Sequence, residues 1–338
     1  MRVAAIIAML FVATAAAAEP PGDALVAPID VKPGSALDRP LKNARPPKDE
    51  ADLKAWLENM VWHHRFTTAE IHAAIGLPDV DIRTALQNFK IRTDNKPARS
   101  GDAPLLVLPY PGGRHPRIGF REGAVRPQRD TKLSVFTPWD SSSYVVLDVP
   151  EGIRCNIGDQ RELIYLAHTH TETMWSRQGI ELDKLEWQRR ADGSLWMERR
   201  LPNDIVFGTK VVPGQRAVWM EMWLTNHSEH VVSRIQVKNC LMLKGAAEFA
   251  RQTVENKVVQ KPFVACRSDR ANRWVITGWE HCEKARVKAI CPCMHSDPTI
   301  VDCAPGKTRR IRGWLSFYEG HDVESEFRRI EATGWRKP

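Results

Sequence analysis

The chain has 338 residues, of which 43% are hydrophobic, and its formal net charge is +8. This size and hydrophobic content can build one large domain, or one domain plus a small one. The positive charge favours acidic partners such as an acidic polysaccharide, the cell envelope or nucleic acid. Because the basic residues are scattered and the first residues predict export, we exclude nucleic acid as a partner. No segment after the first 18 residues is long and apolar enough to cross a membrane.

The first 18 residues predict a secretory signal peptide. Arg2 supplies a positive charge, residues 3–12 form an apolar run, and Ala16-Ala17-Ala18 before Glu19 fits a signal-peptidase site. The apolar run is shorter than the ~20 residues that a bilayer span needs. We therefore expect cleavage after residue 18 and a secreted or periplasmic protein.

Helical periodicity is confined to one short region near the start of the expected mature chain. Residues 19–48, rich in proline and alanine, are predicted to be an extended lead-in. Within residues 49–95, apolar side chains recur at helical spacing, and Thr67 with Glu70 forms a capping box that opens a second helix. A third short helix is predicted near residues 81–89. These features predict a small helical unit.

From about residue 103 the apolar pattern has a period of two, and no alternation of strands and helices is seen. This pattern predicts a mainly β fold over residues 103–338, as a large antiparallel β-sandwich or barrel closed by a C-terminal helix. Predicted strands cover residues 105–108, 134–136, 144–149, 163–166, 195–199, 205–212, 217–224, 233–243, 263–266, 274–279 and 310–317.

The first candidate site follows the predicted strand 163–166. His168, His170 and Glu172 alternate along the chain, so on a strand their side chains would share one face. Two imidazoles and a carboxylate suit a divalent metal such as zinc, or general acid–base catalysis on a substrate. The alternative is a polar strand face exposed to water.

The second candidate is a cysteine-rich segment. Cys282, Cys291, Cys293 and Cys303 are predicted to form disulfides, because the chain is exported. We interpret the segment as a loop that holds His295 and Asp297. On this interpretation His168, His170 and His295 would converge on one metal with an open fourth position. The alternative places His295 on the far side as an exposed loop residue.

The third candidate is a glycine-containing loop that could bind substrate. Arg114, His115 and Arg117 follow Gly112-Gly113, and arginine binds carboxylates through two parallel hydrogen bonds. The chain also has twelve tryptophans, most of which we expect in the core. Trp175 is predicted to be one that contacts a sugar ring.

Two turns carry a resemblance to a known family. The strand that ends in Thr225-Asn226-His227-Ser228 and the turn Ala304-Pro305-Gly306-Lys307-Thr308 are similar to motifs of the galactose mutarotase-like supersandwich. The resemblance covers roughly residues 105–320 and implies a two-sheet fold that occurs in epimerases, polysaccharide lyases and glycosidases. The histidine that the family carries after the first turn is absent, and Asn239 and Cys240 stand in that neighbourhood.

These observations lead to three functional hypotheses. The first is a secreted carbohydrate-active lyase, hydrolase or epimerase with a histidine-based site, acting on an acidic polysaccharide. The second is a non-catalytic protein that binds carbohydrate or the cell envelope. The third is a cupin-like metal-dependent enzyme, because His168, His170, Glu172 and Gly179 resemble the first cupin motif.

Overall fold

The structure is a computed structural model that describes residues 44–114, 129–167, 171–289 and 291–337. The predicted signal peptide and most of the predicted lead-in lie outside these ranges. The described chain is mainly β, with two large antiparallel sheets and four α-helices. None of the helices in these ranges is long and apolar enough to cross a membrane.

Three helices precede the sheets, as predicted. Helix α1 (Glu50–Glu58) starts where the Asp49 carboxylate accepts a hydrogen bond from the Asp52 amide, and it continues into a π-helical turn, Asn59–His63. Helix α2 (Thr68–Ile75) begins with the predicted capping box, and α3 (Asp79–Asn88) follows. Their buried apolar side chains form a small core of their own, which includes Trp56, Leu57, Met60, Val61, Ile71, Ile75 and Ile82.

Seven strands form one sheet, here called the front sheet. Its order is β1-β2-β3-β9-β14-β13, and β4 pairs with β3 away from this path. The bounds are Val107–Pro109 (β1), Lys132–Phe136 (β2), Tyr144–Ile157 (β3), Gln160–Leu166 (β4), Val232–Met242 (β9), Cys282–Lys288 (β13) and Cys291–Ile300 (β14).

Eight strands form the other sheet, here called the back sheet. Its order is β10-β11-β12-β15-β8-β7-β6-β5. The bounds are Gln188–Arg189 (β5), Leu195–Arg200 (β6), Ile205–Pro213 (β7), Ala217–Asn226 (β8), Lys257–Gln260 (β10), Phe263–Arg267 (β11), Arg273–Trp279 (β12) and Thr308–Glu319 (β15).

The main core lies between the two sheets. Alternate residues of both sheets enter it, among them Leu147, Leu241 and Met294 of the front sheet. Helix α4 (Val323–Ala332), capped by Asp322, covers the outer face of the back sheet around Phe263 and Trp314. The predicted β-sandwich with a C-terminal helix is therefore confirmed.

The helical unit packs on the outer face of the front sheet. The Nε2 atom of His64 lies 2.7 Å from the Ser134 hydroxyl, and the His64 ring packs edge-on against Tyr144. The Asn59 amide donates a hydrogen bond to the Pro109 carbonyl. These contacts place the helices beside β1, β2 and β3.

The cysteine-rich segment differs from the prediction. It forms the hairpin of β13 and β14 rather than a loop, so His295 and Asp297 are strand residues inside the front sheet. None of the seven cysteines, all within the described ranges, is in a disulfide bond, so the predicted bridges are not formed. In addition, β5, β10, β13 and β14 were not predicted as strands.

Candidate functional site

A row of polar side chains crosses the outer face of the front sheet. Lys132 on β2 is paired with Asp148 on β3, and Asp148 with Cys240 on β9. On the next strand, β14, His295 is paired with Arg286 on β13. Their sequence neighbours Leu147, Leu241 and Met294 lie in the core between the sheets, so this row points to the opposite face.

The front sheet is locally open beside this row. Strands β9 and β14 pair at Leu241–Met294 and again at Gln236–Thr299, with no pair between these two points. Within the opening, the backbone N–H of Asn239 donates to Oδ1 of Asp297 at 3.0 Å. A register shift in β3 between Asp148 and Gly152 brings Glu151 to the same region. Side chains therefore occupy a gap between β9 and β14 that regular backbone pairing of the two strands would close.

Five ionisable residues in this region are almost completely buried. None of Lys132, Asp148, Glu151, His295 and Asp297 is more than 6% exposed, and we call them the buried polar cluster. Such residues are seldom fully buried unless they are paired, and groups of them mark candidate functional sites. Within the cluster, Nζ of Lys132 lies 3.0 Å from Oδ2 of Asp148. The Nδ1 atom of His295 lies 3.4 Å from Oδ1 of Asp297 and 3.8 Å from Oε2 of Glu151.

Burial and neighbouring charges shift the protonation of these groups. Burial raises the pKa of the Asp148 carboxyl, although Lys132 acts in the opposite direction. Burial by itself would lower the pKa of His295, but Cys240, Asp297 and Glu151 together raise it to about 9. Burial also raises the pKa of the Cys240 thiol well above its usual value. The carboxylates of Asp297 and Glu151 beside the His295 ring thus favour positive charge there.

Two thiols approach the same histidine from its other side. The Sγ atom of Cys293 lies 3.6 Å from Nε2 of His295. The two sulfur atoms of Cys240 and Cys293 and a ring nitrogen of His295 all lie within 4.8 Å of one another. All three residues are buried. The His295 ring therefore separates a thiol side from a carboxylate side.

A cavity of about 250 Å³ opens next to the buried polar cluster, and we call it the basic cavity. Four basic side chains line it (Arg154, Lys238, Lys284 and Arg286), against two acidic ones (Glu283 and Asp297). The rest of the lining is Gly152, Leu163, Leu166, Thr171, Gln236, Val237 and Pro298.

Ion pairs join the basic cavity to the buried polar cluster. The Arg286 guanidinium donates two hydrogen bonds to Oδ2 of Asp297, at 2.7 and 3.0 Å. The Lys238 ammonium lies 3.2 Å from Oε2 of Glu151. Arg154 and Lys284 are exposed at the rim. A ligand in the cavity would therefore meet exposed cations first and Asp297 at greater depth.

The first predicted site can be located only in part. His168 and His170 lie outside the described residues, whereas Glu172 is exposed and Thr171, the residue next to His170, lines the basic cavity. His295 is buried on β14 beside Cys240 and Cys293. The convergence of the three histidines on one metal therefore stays a prediction.

The predicted substrate-binding residues that the structure describes have packing roles. Arg114 pairs with Glu70 through two hydrogen bonds, at 2.5 and 2.9 Å, and so ties the loop to α2. A Cβ atom at Gly113 would collide with the Glu70 carbonyl oxygen, so this glycine permits the close approach.

Trp175 is buried in the main core, and its indole N–H donates to the Ile164 carbonyl. Its ring is packed in the main core. His115 and Arg117 lie outside the described residues.

Sequence reasoning missed three members of the buried polar cluster. Lys132 and Glu151 lie within β2 and β3 but outside the shorter strands that were predicted, at residues 134–136 and 144–149. Asp148 carries the clearest signal, since it is one carboxylate inside the otherwise apolar run 145–149. A charged residue within a buried strand needs a partner, and Lys132 supplies it.

The sequence matches no family model and no curated protein. Solved structures give low similarities. A GalM/aldose epimerase homologue from C. elegans is 10% identical with a TM-score of 0.34, and the match covers 56% of this chain and 93% of that one. A polysaccharide lyase is 13% identical with a TM-score of 0.38, over 67% of this chain and 34% of that one.

A mutant of the heparan sulfate lyase HepC from Pedobacter heparinus is 9% identical with a TM-score of 0.35, over 80% of this chain and 46% of the lyase. The chain thus spans less than half the length of these two lyases. The match to the aldose epimerase homologue has the same low similarity and does not place this chain in a family.

Proposed function

We propose that the chain is a secreted or periplasmic carbohydrate-active enzyme that binds an acidic glycan in the basic cavity and cleaves it as a lyase. The observation that carries this proposal is the lining of the cavity, in which four basic side chains surround a pocket beside the buried polar cluster. Clefts with one sign of charge attract ligands of the opposite sign.

The arrangement of the cations suits a carboxylate on a sugar ring. Arg154 and Lys284 are exposed at the rim, where they can bind the negative groups of a polymer that arrives from solution. Arg286 and Lys238 lie closer to the buried carboxylates, with which they pair. A volume of about 250 Å³ suits one sugar residue better than a length of polymer.

Binding of a uronate carboxylate by these cations would favour elimination. The cations stabilise the negative charge that develops when the proton next to the carboxylate is removed. A base takes that proton, a carbon–carbon double bond forms in the sugar ring, and the glycosidic oxygen departs with a proton from an acid. An imidazole suits either role near neutral pH.

The predicted residues His168, His170 and Glu172 stay the proposed acid–base groups. This assignment is supported by Thr171, which lies between His170 and Glu172 in the chain and lines the basic cavity. The His295 side chain is not assigned this role, because it is buried behind Asp297.

The test measures both turnover and binding. The protein is incubated with glycosaminoglycans, polygalacturonate, alginate and a neutral glucan, and the ultraviolet absorbance of unsaturated uronate products is followed. We expect turnover of an acidic polymer only. We expect Arg154→Ala/Lys284→Ala to weaken its binding about tenfold, because two exposed charge contacts of about 0.7 kcal/mol each are lost.

The matched control is Arg216→Ala, which removes an exposed arginine between β7 and β8 of the back sheet. It is expected to bind and turn over the polymer like the unchanged protein. Turnover should be lost in His168→Ala/His170→Ala while binding is retained. Binding of acidic polymers without turnover by the unchanged protein would favour the alternative, a carbohydrate-binding protein. Equal binding of neutral and acidic polymers would contradict the proposal.

A further inference from the structure

The geometry of Cys240, Cys293 and His295 leads us to a second proposal. We propose that these three residues bind one Zn²⁺ ion on the outer face of the front sheet, with Asp297 as the residue that orients His295. The proposal does not depend on the glycan or on turnover. It also differs from the predicted three-histidine site, with which it shares only His295.

The distances fit a tetrahedral ion. Zinc binds cysteine sulfur at about 2.3 Å and histidine nitrogen at about 2.0 Å, which places the sulfur and nitrogen atoms of one tetrahedron about 3.5 Å apart. The Sγ atom of Cys293 lies 3.6 Å from Nε2 of His295. All three ligand atoms, including Sγ of Cys240, lie within 4.8 Å of one another. The three protein ligands would leave the fourth tetrahedral position to a water molecule.

The ring of His295 is oriented as in a metal site. Its Nε2 atom faces Cys293, whereas Nδ1 lies 3.4 Å from Oδ1 of Asp297. Histidines that bind a metal usually donate the other ring N–H to a carboxylate or carbonyl, which fixes the tautomer. Asp297 is itself held by the Asn239 amide and by Arg286. In the tautomer that carries its proton on Nδ1, beside Asp297, Nε2 would offer its lone pair to a metal on the thiol side.

The scaffold and the local charge also favour zinc. The ligands lie on two neighbouring strands, β9 and β14, inside a seven-stranded sheet, so their spacing is set by the sheet. None of the chain's cysteines, all within the described ranges, is in a disulfide. Two thiolates would neutralise the charge of one Zn²⁺, so a neutral unit would be buried. Thiolates with an imidazole select zinc over magnesium or calcium.

The first measurement uses the unchanged full chain. It is purified with a thiol reductant and without chelators, and zinc is quantified by mass spectrometry. The metal is then replaced by Co²⁺, which gives an intense near-ultraviolet absorption band when it binds thiolates. We expect one zinc per chain and a cobalt band whose intensity corresponds to two thiolates. Zinc well below one per chain, or bound Co²⁺ without this band, would overturn the site.

The second measurement uses variants. Cys240→Ser and Cys293→Ser are expected to reduce the cobalt–thiolate band by about half and to weaken zinc binding at least tenfold. The matched control is Cys266→Ser, which removes a buried thiol on β11 of the back sheet and is expected to change neither. Equal effects in all three variants would contradict the site, because they would reflect a general disturbance of the fold.

The third measurement counts thiols in the unchanged protein, so it does not require a variant to fold. Peptide mapping without reduction tests for a bond between Cys240 and Cys293, and such a disulfide would remove both ligands and overturn the proposal. We expect instead that zinc protects Cys240 and Cys293 from alkylation, and that a chelator abolishes this protection. Protection that survives complete removal of zinc would also contradict the site.

Discussion

The Nδ1 atom of His295 lies 3.4 Å from Oδ1 of Asp297, two residues further along β14. The same Asp297 lines the basic cavity and receives two hydrogen bonds from Arg286. On the far side of the imidazole ring, Cys293 faces Nε2. Asp297, His295 and Cys293 of β14 thus lie in a row that leads from the open cavity to the buried thiols.

The first prediction concerns Asp297 and the proposed metal. Asp297→Asn keeps the size of the side chain but removes the negative charge that orients the imidazole. We expect zinc affinity to fall between ten- and a hundredfold, as for other residues that hold a metal-binding histidine. Affinity is measured by competition with a coloured chelator. The control is Asp302→Asn, an exposed aspartate that follows β14. Unchanged affinity in Asp297→Asn would show that Asp297 does not orient a metal ligand.

The second prediction concerns the buried pair Lys132–Asp148. The pair is almost completely buried, and Thr131 also donates a hydrogen bond to Asp148 at 2.6 Å. Lys132→Met leaves a carboxylate buried without this cation, so we expect a loss of about 3 kcal/mol in the free energy of unfolding. The double variant Lys132→Met/Asp148→Leu removes both charges and should be more stable than Lys132→Met alone. Urea unfolding gives the free energy of unfolding of the unchanged protein, of Lys132→Met, of Asp148→Leu and of the double variant. If the effects of the two single variants add up to the effect of the double variant, the coupling between Lys132 and Asp148 is contradicted.

The third prediction concerns pH and His64. Burial lowers the pKa of His64 to about 3, below its ordinary value of 6.5. The unfolded chain therefore binds a proton more readily, and the stability that is present above pH 6.5 is lost as the pH falls toward 3. Between pH 7 and pH 5 this contribution is about 2 kcal/mol. Urea unfolding of His64→Gln should show a correspondingly smaller pH dependence, whereas His321→Gln, an exposed control, should not.

The fourth prediction concerns the attachment of the helical unit. Arg114 pairs with Glu70 through two hydrogen bonds and lies over the ring of Phe66. Arg114→Lys keeps the charge but loses the planar group, so we expect a loss of about 1 kcal/mol and faster proteolysis between α1 and β1. Arg92→Lys changes an exposed pair with Asp94 and serves as the control. Equal proteolysis of both variants would contradict this role for Arg114.

Local signals were sufficient to predict the elements with strong periodicity. The capping box at Thr67 and the apolar face of α1 predicted helices, and β-branched runs predicted eleven of the fifteen strands in the described ranges. The hairpin of β13 and β14 was mistaken for a loop, because Pro292 and Pro298 lie in β14. Pro298 is tolerated because it lies where β14 is not paired with β9.

The candidate site depends on register, which the sequence alone does not determine. Cys240 and His295 are 55 positions apart in the numbering, and they meet because β9 and β14 are neighbours in the front sheet. Asp148 reaches the same row through the pairing of β3 with β9. His295 was predicted as a site residue for its chemistry, but Cys293 was predicted to form a disulfide and Cys240 was not predicted to lie beside it.

The most direct test of the proposed function is a crystal structure of the chain with a bound acidic oligosaccharide, from the polymer that it binds most tightly. We predict one uronate ring in the basic cavity, with its carboxylate within hydrogen-bonding distance of Arg154 or Lys284 and the ring directed toward Asp297. An oligosaccharide bound on the back sheet, or at any surface that leaves the basic cavity empty, would contradict the account.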